Sequence, residues 1–497
     1  MLVCTSPLAT AREAAFTNNL IGNARSGKSF MFKSQRNTFK SYRNPYHSKR
    51  RRRFSPLWLI VPSIPLVLIL LELLARFAIG VSGHSKELAN YKGEPPIVTA
   101  YRLKFLTPDK KPYEGLSNQG ELLAQRNLSV GYGLASSQQN SVWQINEQGF
   151  RDDRPLPLEK PANEIRIFIL GNSTAFGQWN QGNAATIAPK LAERINGRVA
   201  QQKRSPEKYR PDVLSFYRPE REKALALPPK IRDGQYRVIN AAVPGYSSGN
   251  HLAQLALEIL PYKPDVIVVL GGYPDLMLPS NQEAAQIPEI EQFLTNAPGH
   301  YWAYLTRSLQ EWGKSMASYK AVQYWVLKPE PSLAQRTLGA MDRGQLLGKQ
   351  LAGDEAELDR RIERYRDRYK QMIQLSAGAS VPMVLAIQPE ITGRSPDRMS
   401  EAEKSILQEL GKEYQQKIEP SYGKLAQAND KLKKAYPNNV YIVNFYTLDA
   451  KGEKAVGEAF VDPIHLTEEA NTLLAKRLYD AITGIPKMQI VPKNFAL

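Results

Sequence analysis

The chain has 497 residues with ordinary hydrophobic (42%) and charged (23%) fractions, enough for one large folded domain with appendages, or for two domains. Its net charge of +18 is uneven: residues 1–55 hold twelve Lys/Arg against one acid, Glu13, leaving only +7 on the rest. Basicity is therefore a property of the tail, and no nucleic-acid partner is expected. The single cysteine, Cys4, excludes an intrachain disulfide and zinc sites built on cysteine, and no metal or other cofactor is expected.

Residues 1–55 are rich in Ser, Asn and Arg, end close to Lys49-Arg50-Arg51-Arg52-Arg53, and cannot bury enough apolar surface to fold alone. Residues 56–81 form a long apolar run interrupted by Pro62 and Pro65 early and by Glu72 and Arg76 late. Its length suits a membrane span, and the last two residues, four apart on one helical face, can pair. The basic cluster before it predicts an uncleaved signal-anchor with a cytoplasmic N-terminus and an extracytoplasmic main domain. A cleaved signal peptide fits less well, because the basic region is too long and no small-residue cleavage site precedes Ser82-Gly83. An organellar transit peptide is a third, weaker reading.

Residues 82–139 read as a linker or N-terminal extension, and residues 140–485 as the main domain, followed by a tail over 486–497. Apolar strands are predicted at Ile165–Leu170, at Val238-Ile239 and the residues after them, at Val266–Leu270, at Met383–Ile387 and at Val440–Phe445. Between them lie helical patterns: one with Ile187, Leu191 and Ile195 at four-residue spacing, one over His251–Leu260, and a last one over Glu468–Ile482 entered at Thr467. Residues 201–236 read as an inserted loop and 284–375 as a charge-rich helical insertion. Continuous apolar strands alternating with helices imply an α/β fold with a parallel sheet covered on both faces.

In such sheets reactive groups gather at the carboxyl ends of the strands. The first strand runs into Gly171-Asn172-Ser173, which puts the Ser173 hydroxyl at a strand–helix bend beside outward-facing backbone N–H groups. The second leads to Val243-Pro244-Gly245, where a missing side chain lets an N–H approach a reacting oxygen. The third leads to Gly272-Tyr273-Pro274-Asp275. Asp462 and His465 lie three apart just before the last helix. The carboxylate can there hold one imidazole nitrogen and leave the other as a base for a hydroxyl. Taken alone, each motif also fits ordinary turn or capping chemistry.

Together, GNSTAFG, VPGYSS, GGYPDL and VDPIHLT in this order resemble the SGNH/GDSL hydrolases, over about residues 140–485. The GFRDD segment ending at Asp153 and Gln388-Pro389-Glu390 are similar to membrane-anchored bacterial members. The resemblance implies a three-layer α/β/α flavodoxin-like sheet behind one transmembrane helix, and ester hydrolysis through an acyl-serine. Ser173 would attack, His465 would carry the proton, Asp462 would orient the ring, and the N–H groups of Ser173 and Gly245 would form the oxyanion hole. Asn172 stands where many members carry Asp. Pro274 replaces the asparagine that gives the family a third oxyanion donor, and proline offers neither an N–H nor a polar side chain. Asn250, Tyr273 and Asp275 are possible additional site residues; Asn250 and Tyr273, with Asn281, are candidates to replace that donor.

The expected activity is that of a membrane-anchored esterase acting on acyl groups of a cell-envelope glycan or lipid at the bacterial inner membrane. The alternatives are O-acyl transfer to an exported polysaccharide, with 284–375 as a lid, and a weakened glycan-binding or scaffold member. Trp302, Trp312 and Trp325 are read as a buried helical face, and oligomeric state is left open.

Overall fold

The computed structural model describes residues 57–113, 116, 119–287, 302, 306, 309–342, 344–449 and 456–493. The tail read over 1–55 lies outside the described residues. The apolar run forms a helix, Leu57–Ser82, whose Ser63–Ser82 portion is long and apolar enough to cross a membrane and is not buried. Arg76 donates from Nε to Glu72 Oε1 at 3.0 Å, as the four-residue spacing predicts.

Ahead of the main sheet, β1 (Leu103–Leu106), β2 (Leu122–Asn127) and β3 (Gly131–Leu134) form a small mixed sheet that the sequence did not reveal. These strands are only four to six residues long and are broken by Lys104, by Gln125-Arg126-Asn127 and by Gly131 and Gly133, so their alternation is weak. A two-stranded ribbon, β4 (Gln138–Gln139) with β5 (Gln144–Ile145), follows.

The main sheet holds the five predicted strands: β6 (Glu164–Gly171), β7 (Gln235–Asn240), β8 (Val266–Gly271), β9 (Met383–Ile387) and β10 (Val440–Asn444). All neighbouring pairs are parallel, in the order β7-β6-β8-β9-β10. That is the flavodoxin-like order, with the switch point between β6 and β8, where the crevice at the carboxyl ends takes a ligand. Alternate residues of the strands enter two separate cores. Ile165, Ile167 and Ile169 pack with the Ile187–Arg204 and Glu468–Thr483 helices. Phe168, Leu170, Ile267 and Val269 pack with Tyr365, Tyr369 and Met372 of Glu355–Gly378 and with Tyr414, Ile418 and Leu425 of Glu401–Ala435. Sheet and two helical layers make the three-layer α/β/α architecture.

Five readings are corrected. The helix after Ser173 is a single turn, Ser173–Phe176, ended by Gly177 in the left-handed region; the four-residue pattern belongs to a separate helix starting at Ile187. Glu355–Gly378 is no insertion, because its Tyr365, Tyr369, Met372 and Ile373 cover the sheet. Residues 201–236 are not structureless, and contain the helix Arg218–Ala226. Of the C-terminal tail, 486–493 is docked: Ile490 N donates to Lys230 O and Lys493 N to Asp212 O. Trp302 and Trp312 are 67% and 63% exposed, so they do not form a buried face.

Candidate active site

The nucleophile turn is built by close approach. A Cβ on Gly171 would stand 2.5 Å from both Ala175 Cβ and Leu270 O, so glycine is needed for β6 to turn into the helix. Asn172 caps that helix by accepting from Thr174 N at 2.9 Å, and its amide also donates to Gln388 Oε1 at the end of β9. Gln388 Nε2 in turn donates to Thr174 Oγ1, and Thr174 Oγ1 to Ile464 O, both at 3.1 Å. Asn172 thus works as cap and brace, and the turn carrying Ser173 is fastened to the residue before His465. Ser173 itself is 6% exposed.

Asp462 and His465 are both fully buried. Asp462 Oδ2 lies 2.6 Å from His465 Nδ1, while Oδ1 accepts from the N–H groups of Ile464 and His465. Burial alone would raise the Asp462 pKa, but the imidazole, the indole of Trp179 and the Ile464 N–H hold it below the usual value. The aspartate therefore stays ionised and fixes the proton on Nδ1. His465 Nε2 has no hydrogen-bond partner and is left as an acceptor.

Trp179 was not recognised from sequence. Its Nε1 donates to Asp462 Oδ2 at 2.7 Å, and its ring meets the imidazole edge-on with centroids 5.9 Å apart. Its backbone has φ of 71°, a conformation a bulky residue rarely adopts and one that collects at functional sites. The only available signal was an indole six residues after the serine. Trp179 is a positioning residue. Trp179→Phe keeps the ring but removes one of the groups that lower the Asp462 pKa. We expect kcat to fall about 10-fold with KM nearly unchanged and the acid limb of the pH–rate profile displaced. A profile superimposable on wild type would dismiss this role.

On the oxyanion side, Gly245 has φ of 87° in a loop tied down by Val243 N to Gly171 O at 3.0 Å and by the Tyr132 hydroxyl to Pro244 O at 2.7 Å. Pro274 occupies the first turn of the Tyr273–Met277 helix, where a missing N–H costs nothing. Three further candidates have structural work instead. Asn250 caps its own helix: its amide oxygen accepts from Ser247 and Ala285 N–H, and its nitrogen donates to Val130 O and Ala285 O. Asp275 accepts from Ser248 N and Oγ, and burial raises its pKa despite Arg364 and Ser248. The Tyr273 hydroxyl is buried against that of Tyr414 at 3.1 Å. Asn281 is exposed. Asn250, Asp275 and Tyr273 are thereby engaged with partners of their own.

Glu390, two residues beyond Gln388, is fully buried and accepts from Thr392 N at 2.9 Å and from the Tyr414 hydroxyl at 3.1 Å. Burial outweighs these donors and raises its pKa from 4.5 to about 7. A carboxyl whose pKa is raised by folding contributes stability fully below its unfolded pKa, and this is lost as pH rises through the folded one. The window is about 4.5 to 7, and the shift corresponds to roughly 3 kcal/mol. Glu390→Gln, neutral throughout, should lose less stability than wild type between about pH 5 and about pH 8 in urea unfolding. Equal losses would assign the proton elsewhere.

Beside the Asp462 loop lies the Leu333–Leu338 helix, capped by Ser332, whose own N–H donates to Gln335 Oε1. Gln178 Nε2 donates to Arg336 O at 3.3 Å, and Arg336 donates to Val461 O, next to Asp462, at 3.2 Å. Leu333, Ala334 and Leu338 are buried in the same core as Ile464.

The family model of GDSL-like lipases and acylhydrolases matches residues 306–478. The match supports a serine hydrolase that acts on ester bonds. The matched part contains Asp462 and His465 and begins beyond Ser173 and Gly245, so the full constellation rests on the geometry above. Among solved structures, the chain is similar to a lipase/acylhydrolase from Enterococcus faecalis (12% identity, 64% of this chain and 96% of that one, TM-score 0.31). It is also similar to a catalytic mutant of the acetylxylan esterase Axe2 from Geobacillus stearothermophilus (10%, 65% and 96%, TM-score 0.30). A third is a GDSL-like lipase from Bacteroides thetaiotaomicron (12%, 64% and 87%, TM-score 0.27). No curated protein matches the chain.

Proposed function

We propose that this protein is a GDSL-type, membrane-anchored, extracytoplasmic bacterial esterase that removes acyl groups from a cell-envelope glycan or lipid by way of an acyl-Ser173 intermediate. The observation that carries the chemistry is the buried Asp462–His465 pair, with its 2.6 Å contact at Nδ1 and its unpartnered Nε2, on a loop fastened to the Ser173 turn. His465 Nε2 takes the proton as Ser173 Oγ bonds to the acyl carbon, and returns it to the departing alcohol. Water, deprotonated by the same nitrogen, then releases the acid. The N–H groups of Ser173 and Gly245 hold the oxyanion. With Pro274 the hole lacks one donor, a loss worth about 10²–10³ in rate elsewhere, so turnover is expected to be slow. The anchor reading rests on the exposed apolar helix and the basic cluster before it, which favour an envelope substrate at the inner membrane.

Transfer of the acyl group to a glycan hydroxyl is the second reading. The Leu333–Leu338 helix favours it, because a helix beside the Asp462 loop can exclude the water that would compete with an acceptor. The test of the chemistry is a fluorophosphonate on the full-length protein in detergent. Labelling at Ser173 that disappears in His465→Ala is expected; no labelling of the folded wild-type protein would overturn both readings. Product analysis with an acetylated oligosaccharide and an unacetylated acceptor then separates hydrolysis from transfer.

A further inference from the structure

An exposed apolar surface lies well apart in sequence from the catalytic loops. Residues 309–327 form two helical segments broken at Met316, whose backbone is extended; Leu309 (71% exposed) and Trp312 lie on the first, and Val322, Trp325, Val326 (73%) and Leu327 (64%) lie exposed on the second. A soluble surface rarely carries this many large apolar side chains together. The same segment is bound to the anchor helix. The Glu72 carboxylate accepts from the N–H groups of Ala317 and Ser318 and from Ser318 Oγ, each at 2.9 Å, in addition to Arg76. A carboxylate inside an apolar helix thereby has every partner it needs.

Helical rise sets the depth of this junction. If Leu57, just beyond the Arg50–Arg53 cluster, marks the inner edge of the hydrocarbon, its ~30 Å thickness is crossed in about 20 residues, which brings the outer edge to Arg76. Glu72, one turn earlier, then lies about 6 Å inside that edge. Amphipathic elements lying on a bilayer immerse their apolar face by about 5–10 Å. The two depths agree. Tryptophans suit that level.

We propose that residues 309–327 form a second membrane element, an arm lying in the outer-leaflet interface and clamped to the anchor through Glu72. This rests on the anchor reading of Leu57–Ser82. The occupant of the apolar surface is the lipid bilayer, not a protein partner.

The test uses the full chain with Cys4→Ser, reconstituted in phosphatidylcholine/phosphatidylglycerol vesicles. Single spin labels are introduced by Leu309→Cys and Val326→Cys, with Leu68→Cys in the anchor and Leu128→Cys, 86% exposed on the domain, as references. All four positions are exposed, so the fold should tolerate the label. Collision rates with oxygen, which concentrates in lipid, and with a water-soluble nickel chelate report depth. Labels at 309 and 326 are expected about 5–10 Å below the phosphates, with 128 in water. Water accessibility at 309 and 326 while 68 reads as lipid would overturn the arm and leave the anchor standing. Low collision with both reagents there would mean a protein covers the surface, which also overturns it. A label at 68 that reads as water would instead remove the anchor reading itself.

Discussion

Ser173→Ala is expected to abolish fluorophosphonate labelling and to lower kcat for an acyl ester by about 10⁶, with His465→Ala matching it. The two residues act as one unit: without the base, the buried hydroxyl keeps its proton, and without the hydroxyl, the base has nothing to activate. The double variant should therefore be no slower than either single one. Asp462→Ala should cost less, about 10⁴, because the imidazole can still accept a proton but loses its fixed tautomer and orientation. Additive losses across the three variants would argue against a single proton-relay unit. Circular dichroism checks that the variants are folded.

The second large effect is on stability. Arg151, 3% exposed, sends its five N–H groups to six acceptors: Asn183 Oδ1, the carbonyls of Phe176, Gly177, Val142 and Gly182, and the Tyr101 hydroxyl, all within 3.2 Å. Its guanidinium carbon also lies over the Phe176 and Tyr101 rings, at 4.9 and 5.4 Å. Burial lowers the Arg151 pKa, yet the cation persists because oxygen atoms surround it. These acceptors hold the 176–183 loop, which carries Trp179 and Asn180. Asn180 donates to Leu466 O at 2.9 Å, so the same loop steadies the backbone beside His465. Arg151→Met leaves several carbonyls buried without a donor, and a loss of about 3–5 kcal/mol is expected in urea unfolding, with reduced activity in the protein that remains folded. Arg151→Lys should lie much nearer Met than wild type, since one ammonium cannot reach so many acceptors. An unchanged urea midpoint for Arg151→Met would refute this account.

Much of the candidate site was legible in the sequence because its signals are local. Gly171-Asn172-Ser173 after an apolar strand announces a bend, and Asp462 and His465 need only three residues to meet. The five strands were readable for a similar reason: they are mostly apolar and, apart from β10, largely buried, with only isolated polar residues such as Arg166 and Arg237 within them. The small sheet β1–β3 was not readable, because its strands are short and half-polar.

What the tertiary structure alone decided concerns partners distant in sequence. Asn250, Tyr273 and Asp275 have residue types suited to chemistry, and only their neighbours show their polar atoms committed to capping and clamping. Trp179 gains its role because a strained backbone turns its indole toward a carboxylate 283 residues away. Pro274 could be seen from sequence to lack a donor, while the packing around Asn250 and Tyr273 showed that both are engaged with partners of their own. Composition located the apolar helix; the hydrogen bonds of Glu72 to Ala317 and Ser318 tied it to an arm whose tryptophans the sequence had suggested were core. Helical spacing reports that residues share a face, but burial of that face depends on what the rest of the chain lays against it.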